Sequence, residues 1–367
     1  MTLPTLRAQI DALDDQILEL LKQRADVAEK VAEAKRAANV SRFHAPERER
    51  EVIERLYAKG AGIFPRDAIR VVFREIMSAC LSLQKPMHVA YLGPEGTFTQ
   101  MAARQAFGLA ARYREAATIE GVFDAVVRGD AAYGVVPLEN STEGAVSFTA
   151  DALIATDLQI CQELVMPIEH CLLSQLESLS NVARVYSHPQ ALAQCRGWLA
   201  KNIPTAQMVQ SSSTAAAVIE AKADESGAAI ASSLSGELYG VPVLNKEIQD
   251  QTSNATRFVV LAKEDAPPSG DDKTSIVFGT KDEEGALRKI LSIFEHHGLS
   301  LSRIESRPNK SETLRDPLRG EAWQYVFLAD FAGHRSNTPV VAALADLAAA
   351  SATLRLLGSY PRYRPPT

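Results

Sequence analysis

The stretch Leu81–Phe98, LSLQKPMHVAYLGPEGTF, decides how the chain is divided, because one hydrophobic period ends inside it and another begins. Before Lys85-Pro86 the apolar residues recur in steps of three and four; after it they form a short run, HVAYL, closed by Gly93-Pro94. The first pattern belongs to helices packing on helices, the second to strands that end in turns. Toward the N-terminus, the first 85 residues contain only two glycines, Gly60 and Gly62, and read as helix throughout. Leu3, Leu6, Ile10, Leu13, Ile17, Leu20, Arg24, Val27, Val31 and Ala34 trace the seam of one long helix running to about Ala38. Pro46 suits the first turn of a second helix ending near Gly60, and Arg66–Gln84 supplies a third, with Ile69, Phe73, Ile76, Cys80 and Leu83 on one face. So much apolar seam on three helices calls for a partner chain.

Toward the C-terminus, HVAYLGPEGTF, AAYGVVPLENS, VARVYSHPQ and AAIASSLSGELYG each run from an apolar strand into a turn, and helical stretches follow. This alternation predicts an α/β domain with a largely parallel sheet over residues 86–264, binding its ligand at the carboxyl ends of the strands. The linker DAPPSGDD leads to a third unit, 273–362, whose pattern is strand, helix, strand, strand, helix, strand, the ferredoxin-like α+β order. Between its second and third strands PNKSETLRDPLRGEA reads as an extended loop.

The chain of 367 residues is too long for one core, in keeping with three units. A net charge of -6 provides no basic surface for nucleic acid, and no stretch approaches the roughly 20 apolar residues of a membrane span. The start lacks the basic and apolar regions of an export signal, so a cytoplasmic location is expected. Cys80, Cys161, Cys171 and Cys195 form no CxxC pair, and the seven histidines show no metal-type spacing; reduced thiols and no metal are expected.

Arg24 stands in a seam otherwise made of aliphatic residues, and a guanidinium buried there without a partner costs several kcal/mol, which points to an anion at the site. Lys35 follows 11 residues later on nearly the same face, and the two also read as surface cations whose stems pass the apolar stripe to reach water. Arg7 precedes Arg24 by 17 residues, roughly 25 Å along the helix, so only an antiparallel partner helix brings it to the same ligand.

In the middle segment, polar groups cluster at four strand ends: Glu139-Asn140-Ser141, Ser187-His188-Pro189-Gln190, Ser211 to Thr214 including Ser213, and Asn254-Ala255-Thr256-Arg257-Phe258. Any one of these reads as a helix cap; four on one edge read as a site for a small carboxylate. His188 reads equally as ligand contact and as cap.

These residues carry a resemblance. Arg7, Arg24, Lys35, Arg48-Glu49 in APERE, and Gln84 resemble the chorismate mutase domain of the bifunctional chorismate mutase/prephenate dehydratases. The resemblance implies a domain-swapped helical dimer. In it Arg7, Arg24 and Arg48 bind the carboxylates of chorismate, Lys35 and Gln84 its ether oxygen, and Glu49 a hydroxyl. Ala45 and Cys80 depart from residues that some members carry. YLGPEGTF, VVPLENS, YSHPQ, LYG and the triplet Thr256-Arg257-Phe258 resemble prephenate dehydratase, which implies two α/β lobes with the site in the cleft. There Thr256 assists departure of the hydroxyl and Arg257 clamps a carboxylate. Gly285-Ala286-Leu287 and Glu305-Ser306-Arg307-Pro308 resemble the ACT module, implying a phenylalanine site, although Arg288 stands where valine is usual. No cofactor is implied. The rival class is a two-lobed solute receptor, disfavoured by the cation set and the Thr256 triplet.

Overall fold

The computed structural model describes residues 2–38, 44–84, 86–309 and 325–364. The predicted loop at 308–322 lies largely outside them. Two compact units are distinguished; the smaller spans residues 1–88 and 104–112 and, among the described residues, holds α1 (Leu3–Ala37), α2 (Pro46–Lys59) and α3 (Arg66–Gln84). Prolines sit in the first turns of α1 and α2, where a missing N–H costs nothing, and Lys35-Arg36 close α1 at the negative end of its dipole. Both α1 and α2 pack on α3, around Ala32, Ile53, Ile69 and Cys80. The predicted seam of α1 is present as a stripe, but it faces outward: Leu3, Leu6, Ile10, Leu13, Ile17, Leu20, Val27 and Val31 are 41–63% exposed.

The larger unit begins with a lobe of β1 (His88–Leu92), α4 (Phe98–Phe107), β2 (Arg112–Ala116), α5 (Ile119–Arg128), β3 (Tyr133–Asn140), β4 (Gly144–Ala145), α6 (Ser147–Ala155) and β5 (Gln159–Pro167). A second lobe holds β6 (Cys171–Ser174), β7 (Arg184–Ser187), α7 (Pro189–Gln194), α8 (Arg196–Asn202), β8 (Gln207–Gln210), α9 (Thr214–Lys222), β9 (Gly227–Ala231), α10 (Ser233–Tyr239) and β10 (Val243–Asn245). The chain then returns to the first lobe as β11 (Ala255–Ala262). The sheets run β2-β1-β3-β11-β5 and β10-β6-β9-β7-β8. The expected largely parallel sheet is corrected here. β1 and β3 are parallel, as are β7, β8 and β9, but β11 lies antiparallel to both β3 and β5, and β6 antiparallel to β9. The reason is topological: a strand that re-enters a sheet from the other lobe arrives from the opposite end.

The remaining elements are β12 (Asp272–Thr280), α11 (Ala286–His296), β13 (Leu301–Pro308), β14 (Tyr325–Ala332), α12 (Thr338–Ala350) and β15 (Ser351–Pro361). They form an antiparallel sheet in the order β13-β14-β12-β15. Its helix face is packed by Ile276, Phe278, Ile290, Phe294, Phe331 and Leu347. On the other face, Val277, Val326, Leu328, Leu357 and Tyr360 share one core with Val136, Ile160 and Val259 of the first lobe. Alternate residues of β12 serve the two cores, the period-two consequence of a strand buried on both faces. Gly358 marks the closest approach: at φ +139 a Cβ there would fall 2.2 Å from the Ile160 carbonyl oxygen.

Candidate active site

Two crossings join the lobes, Pro167 to Cys171 and Asn245 to Ala255, and they are tied by Ile168 N donating to Asn254 O and Ile248 N to His170 O, each at 2.9 Å. Against them opens a cavity of about 520 Å³. Phe98, Pro137, Asn140, Thr256 and Phe258 line it from the first lobe, His188, Gln190, Gln194, Ser212, Ser213 and Thr214 from the second, and Ile168 and His170 from a crossing.

Thr256 and Phe258 reach the cavity because they are two apart on β11. Asn140 ends β3 directly opposite Thr256. Its side-chain oxygen accepts from Thr142 N at 3.0 Å, Thr142 Oγ1 at 2.6 Å and Glu143 N at 3.2 Å. Those three donors fix the amide, so its nitrogen must point the other way, donating to Asn254 Oδ1 at 2.9 Å and Thr256 Oγ1 at 2.8 Å. Having accepted that bond, the Thr256 hydroxyl keeps its own hydrogen for the cavity. The network continues: Asn254 Nδ2 donates to Gln194 Oε1 at 3.3 Å, Gln194 Nε2 to Glu143 Oε1 at 2.9 Å, and His170 Nε2 lies 2.9 Å from the same Gln194 oxygen. Thr256, Asn254 and His170 are all buried.

His188 is both things its sequence allowed. It caps α7, with Nδ1 accepting from Gln190 N at 3.3 Å, and it lines the cavity. Ser213 likewise caps α9 through Ala216 N at 3.0 Å, so that helix start and its neighbours Ser212 and Thr214 border the cavity.

Three expected ligand contacts lie elsewhere. Arg257 falls between Thr256 and Phe258 on β11, so strand alternation turns it away from the cavity. There Nε pairs with Glu163 at 2.8 Å, Nη1 with Asp330 at 2.6 Å, and Nη2 donates to the Tyr360 hydroxyl at 2.9 Å. Burial alone would push the Asp330 carboxyl up, yet Arg257 and Arg303 hold it below the usual carboxylate range. Arg257, expected as a carboxylate clamp, does not line the cavity here and instead ties β11 to the C-terminal sheet. Glu139 shares that far face, 3.7 Å from Arg303 Nε. Ser187 is buried and donates to Ile230 O at 2.7 Å, joining β7 to β9.

The sequence reading singled out no residue for Glu143, His170 or Gln194, although all three line the cavity. Gln194 was discoverable as the residue one turn after Gln190, and Glu143 as the residue three after Asn140; His170, a lone polar ring inside IEHCLL, gave no pattern. The GPEGTF and LYG motifs prove to hold the lobes together. Gly96 O accepts from Ser232 Oγ at 2.6 Å and Ser235 Oγ at 2.8 Å, and Tyr239 Oη donates to Glu95 O at 3.2 Å. A Cβ on Gly96, at φ +87, would meet Ser235 Oγ at 2.4 Å.

In the helical unit Arg24 is half-buried and donates from Nη1 to Ile76 O at 3.4 Å. Lys35 is half-buried one helical stretch further on, whereas Arg7 is exposed. Arg48 pairs with Glu51 at 2.7 Å and Glu49 with His44 at 3.4 Å. Gln84 Oε1 is buried without a hydrogen-bond partner among the described residues.

In the C-terminal sheet Gly285 starts α11 at φ +76, Ala286 is buried and Leu287 packs on the core. β13 alternates: Ser306 and Pro308 are exposed, whereas Glu305 and Arg307 are drawn inward. Arg307 Nη1 contacts Glu305 at 3.2 Å, and its Nη2 reaches Asp151 on α6 at 2.8 Å.

The sequence matches the prephenate dehydratase family over residues 89–266 and the type II chorismate mutase family over residues 6–85. It is 46% identical to the bifunctional chorismate mutase/prephenate dehydratase of Aquifex aeolicus, over 98% of each chain, and 40% identical to that of Pseudomonas aeruginosa, again over 98% of each. Among solved structures it resembles a prephenate dehydratase from Arthrobacter aurescens in complex with L-Phe, with a TM-score of 0.68 and 35% identity over 75% of this chain and 90% of that one.

Proposed function

This chain belongs to the bifunctional chorismate mutase/prephenate dehydratases, and we propose how its residues divide the two reactions and how the third unit governs the second. The enzyme rearranges chorismate to prephenate and converts prephenate to phenylpyruvate with loss of carbon dioxide and water. No helix of the described residues is long and apolar enough to cross a membrane.

The dehydratase site is the cleft between the α/β lobes. What carries this reading is the fixed Asn140 amide, which donates to Thr256 and so commits the Thr256 hydroxyl hydrogen to the substrate. A hydrogen bond placed where the departing oxygen gathers negative charge lowers the barrier, and aromatisation of the ring supplies the driving force. The capped starts of α7 and α9, with Gln190 and Thr214, receive the carboxylates. Phe258 forms the apolar floor under the ring.

The mutase site needs no covalent catalyst, only a dicarboxylate held in its reactive conformer. Arg24 and Arg48 hold carboxylates, Lys35 and Gln84 the ether oxygen and Glu49 a hydroxyl, with Arg7 arriving from a second copy. The outward apolar stripe of α1 supports this reading, because a homodimer would bury it.

Phenylalanine binds the C-terminal unit, an ACT module, near Gly285-Ala286-Leu287 and the exposed Ser306, and inhibits the dehydratase. Two observations support this: the L-Phe in the Arthrobacter aurescens relative, and the Arg307–Asp151 pair, which grips α6 just after the cleft-lining segment Glu143–Val146. The test is to incubate purified chain with chorismate and follow phenylpyruvate with and without phenylalanine. A chain that turns over neither chorismate nor prephenate would overturn the assignment.

A further inference from the structure

The dehydration consumes a proton. A prephenate dianion that loses carbon dioxide and hydroxide yields a phenylpyruvate monoanion and water only if one proton reaches the departing oxygen. Thr256 cannot be its net source, since a hydroxyl is a very weak acid at neutral pH and would have to be reprotonated by another group. Among the described residues lining the cleft, the titratable side chains are Glu143, His170 and His188. Glu143 is exposed and accepts from Gln194, and His188 uses Nδ1 to cap α7.

His170 is placed differently. It is 3% exposed, with its ring edge-to-face against Phe98 at 5.5 Å between centroids. The Glu143 carboxylate can only accept, so Gln194 turns its amide nitrogen to Glu143 and its oxygen to His170. His170 Nε2 therefore carries a hydrogen at all times, and Nδ1 is the position that gains and loses one. Nδ1 is buried and has no hydrogen-bond partner among the described residues. His170 lines the cavity, and a ring nitrogen buried this deeply without a partner is costly unless a ligand completes it. Burial lowers the ring's proton affinity and the Gln194 bond opposes this, so the empty site holds a neutral imidazole whose charged form is already supported on one side. The ionisable groups around it are Glu143 beyond Gln194, His188 on the second lobe, Glu169 and Cys171 beside it in the chain, and Lys246 and Glu247 next to Cys171.

We propose that His170 is the general acid of the dehydratase, an inference that rests on the cleft being the dehydratase site. As the dianionic substrate enters, Nδ1 takes a proton from solvent, because the charge of the substrate favours the imidazolium. The bond between ring carbon and carboxylate then breaks, carbon dioxide leaves, and the electron pair it gives up becomes a double bond of the aromatic ring. The C–O bond breaks with it, and the oxygen takes the Nδ1 proton and departs as water, returning His170 to neutral. Thr256 donates a hydrogen bond to the same oxygen but keeps its proton. The path Gln194–Asn254–Asn140 links His170 Nε2 to Thr256 Oγ1 and so restrains both side chains.

The test uses the full chain with prephenate as substrate and mutase activity as the control for folding. His170→Gln reproduces the Nε2 contact with Gln194 but has nothing titratable at the Nδ1 position, and His170→Ala opens room for added imidazole. The expected result is a loss of about 10²–10⁴-fold in dehydratase kcat with little change in KM, mutase activity retained, and partial recovery of His170→Ala by imidazole. A kcat within about fivefold of the parent in His170→Gln, or a loss confined to KM, would overturn the proposal. Failure of the unaltered chain to form phenylpyruvate from prephenate would instead strike the assignment of the cleft.

Discussion

The dehydratase cleft and the helical unit handle their polar groups in opposite ways. Beside Thr256, Asn140, Asn254, Gln194 and His170 hold one another in a single hydrogen-bonded network from the same chain. Along α1, by contrast, nine large aliphatic side chains stand at least 41% exposed, and Arg7 lies at the far end of the helix from Lys35. A sheet-based lobe brings residues distant in sequence onto one edge, so one chain can close a site. A long helix spreads its residues along a line, at 1.5 Å each, and can close a small site only with another helix.

The sharpest way to break this contrast is at its two centres. Thr256→Ala should lose about 10²–10³-fold in dehydratase kcat, the usual cost of removing one donor to a developing oxyanion, and leave the mutase intact. Arg24→Ala should do the reverse. Equal losses of both activities in either variant, assayed separately with chorismate and prephenate, would contradict two independent sites.

The far face of β11 gives the next largest effect. Arg257→Met removes the cation that Glu163 and Asp330 share, leaving Glu163 to Lys273 and Asp330 to the more distant Arg303, which should cost up to about 3–5 kcal/mol in a denaturant titration. A carboxylate clamp would behave differently, raising KM for prephenate at unchanged stability, so the pair of measurements discriminates between the two roles.

Coupling is smaller. If the Arg307–Asp151 pair transmits the phenylalanine signal to α6, Arg307→Ala should raise the half-inhibiting phenylalanine concentration by about 5–150-fold, the usual range of a coupling free energy. An unchanged inhibition curve would remove α6 from the path.

The smallest signal tests the helical unit. Mixing inactive Arg7→Ala and Arg24→Ala chains under subunit exchange should recover roughly a quarter of the parent mutase activity, since half the dimers are mixed and each keeps one intact site of two. No recovery in verified mixed dimers would mean that the mutase site closes within one chain.

Much of this was legible beforehand because period is a local property. The three helices of the first segment, the strand ends carrying Asn140, His188, Ser213 and Thr256, and the succession of strands and helices in the last segment all follow from spacing and turn residues. Arg257 lies off the cavity for an equally local reason: in a triplet on a strand, the middle residue faces away from its neighbours, and the motif drew attention to all three. Glu139 lies on that far face with it, as its register partner on β3.

By itself, then, the sequence determined the periods, the turns and the change of pattern at Lys85-Pro86, since these depend on residues within a few positions of one another. It also supplied the reactive groups. Only the tertiary structure decided which of them meet. The antiparallel return of β11 pairs Thr256 with Asn140, residues 116 apart in the chain, and the lobe crossings bring His170 to Gln194. Such pairings are set by how two sheets and their connections pack, a balance of many weak contacts that no short stretch of sequence encodes.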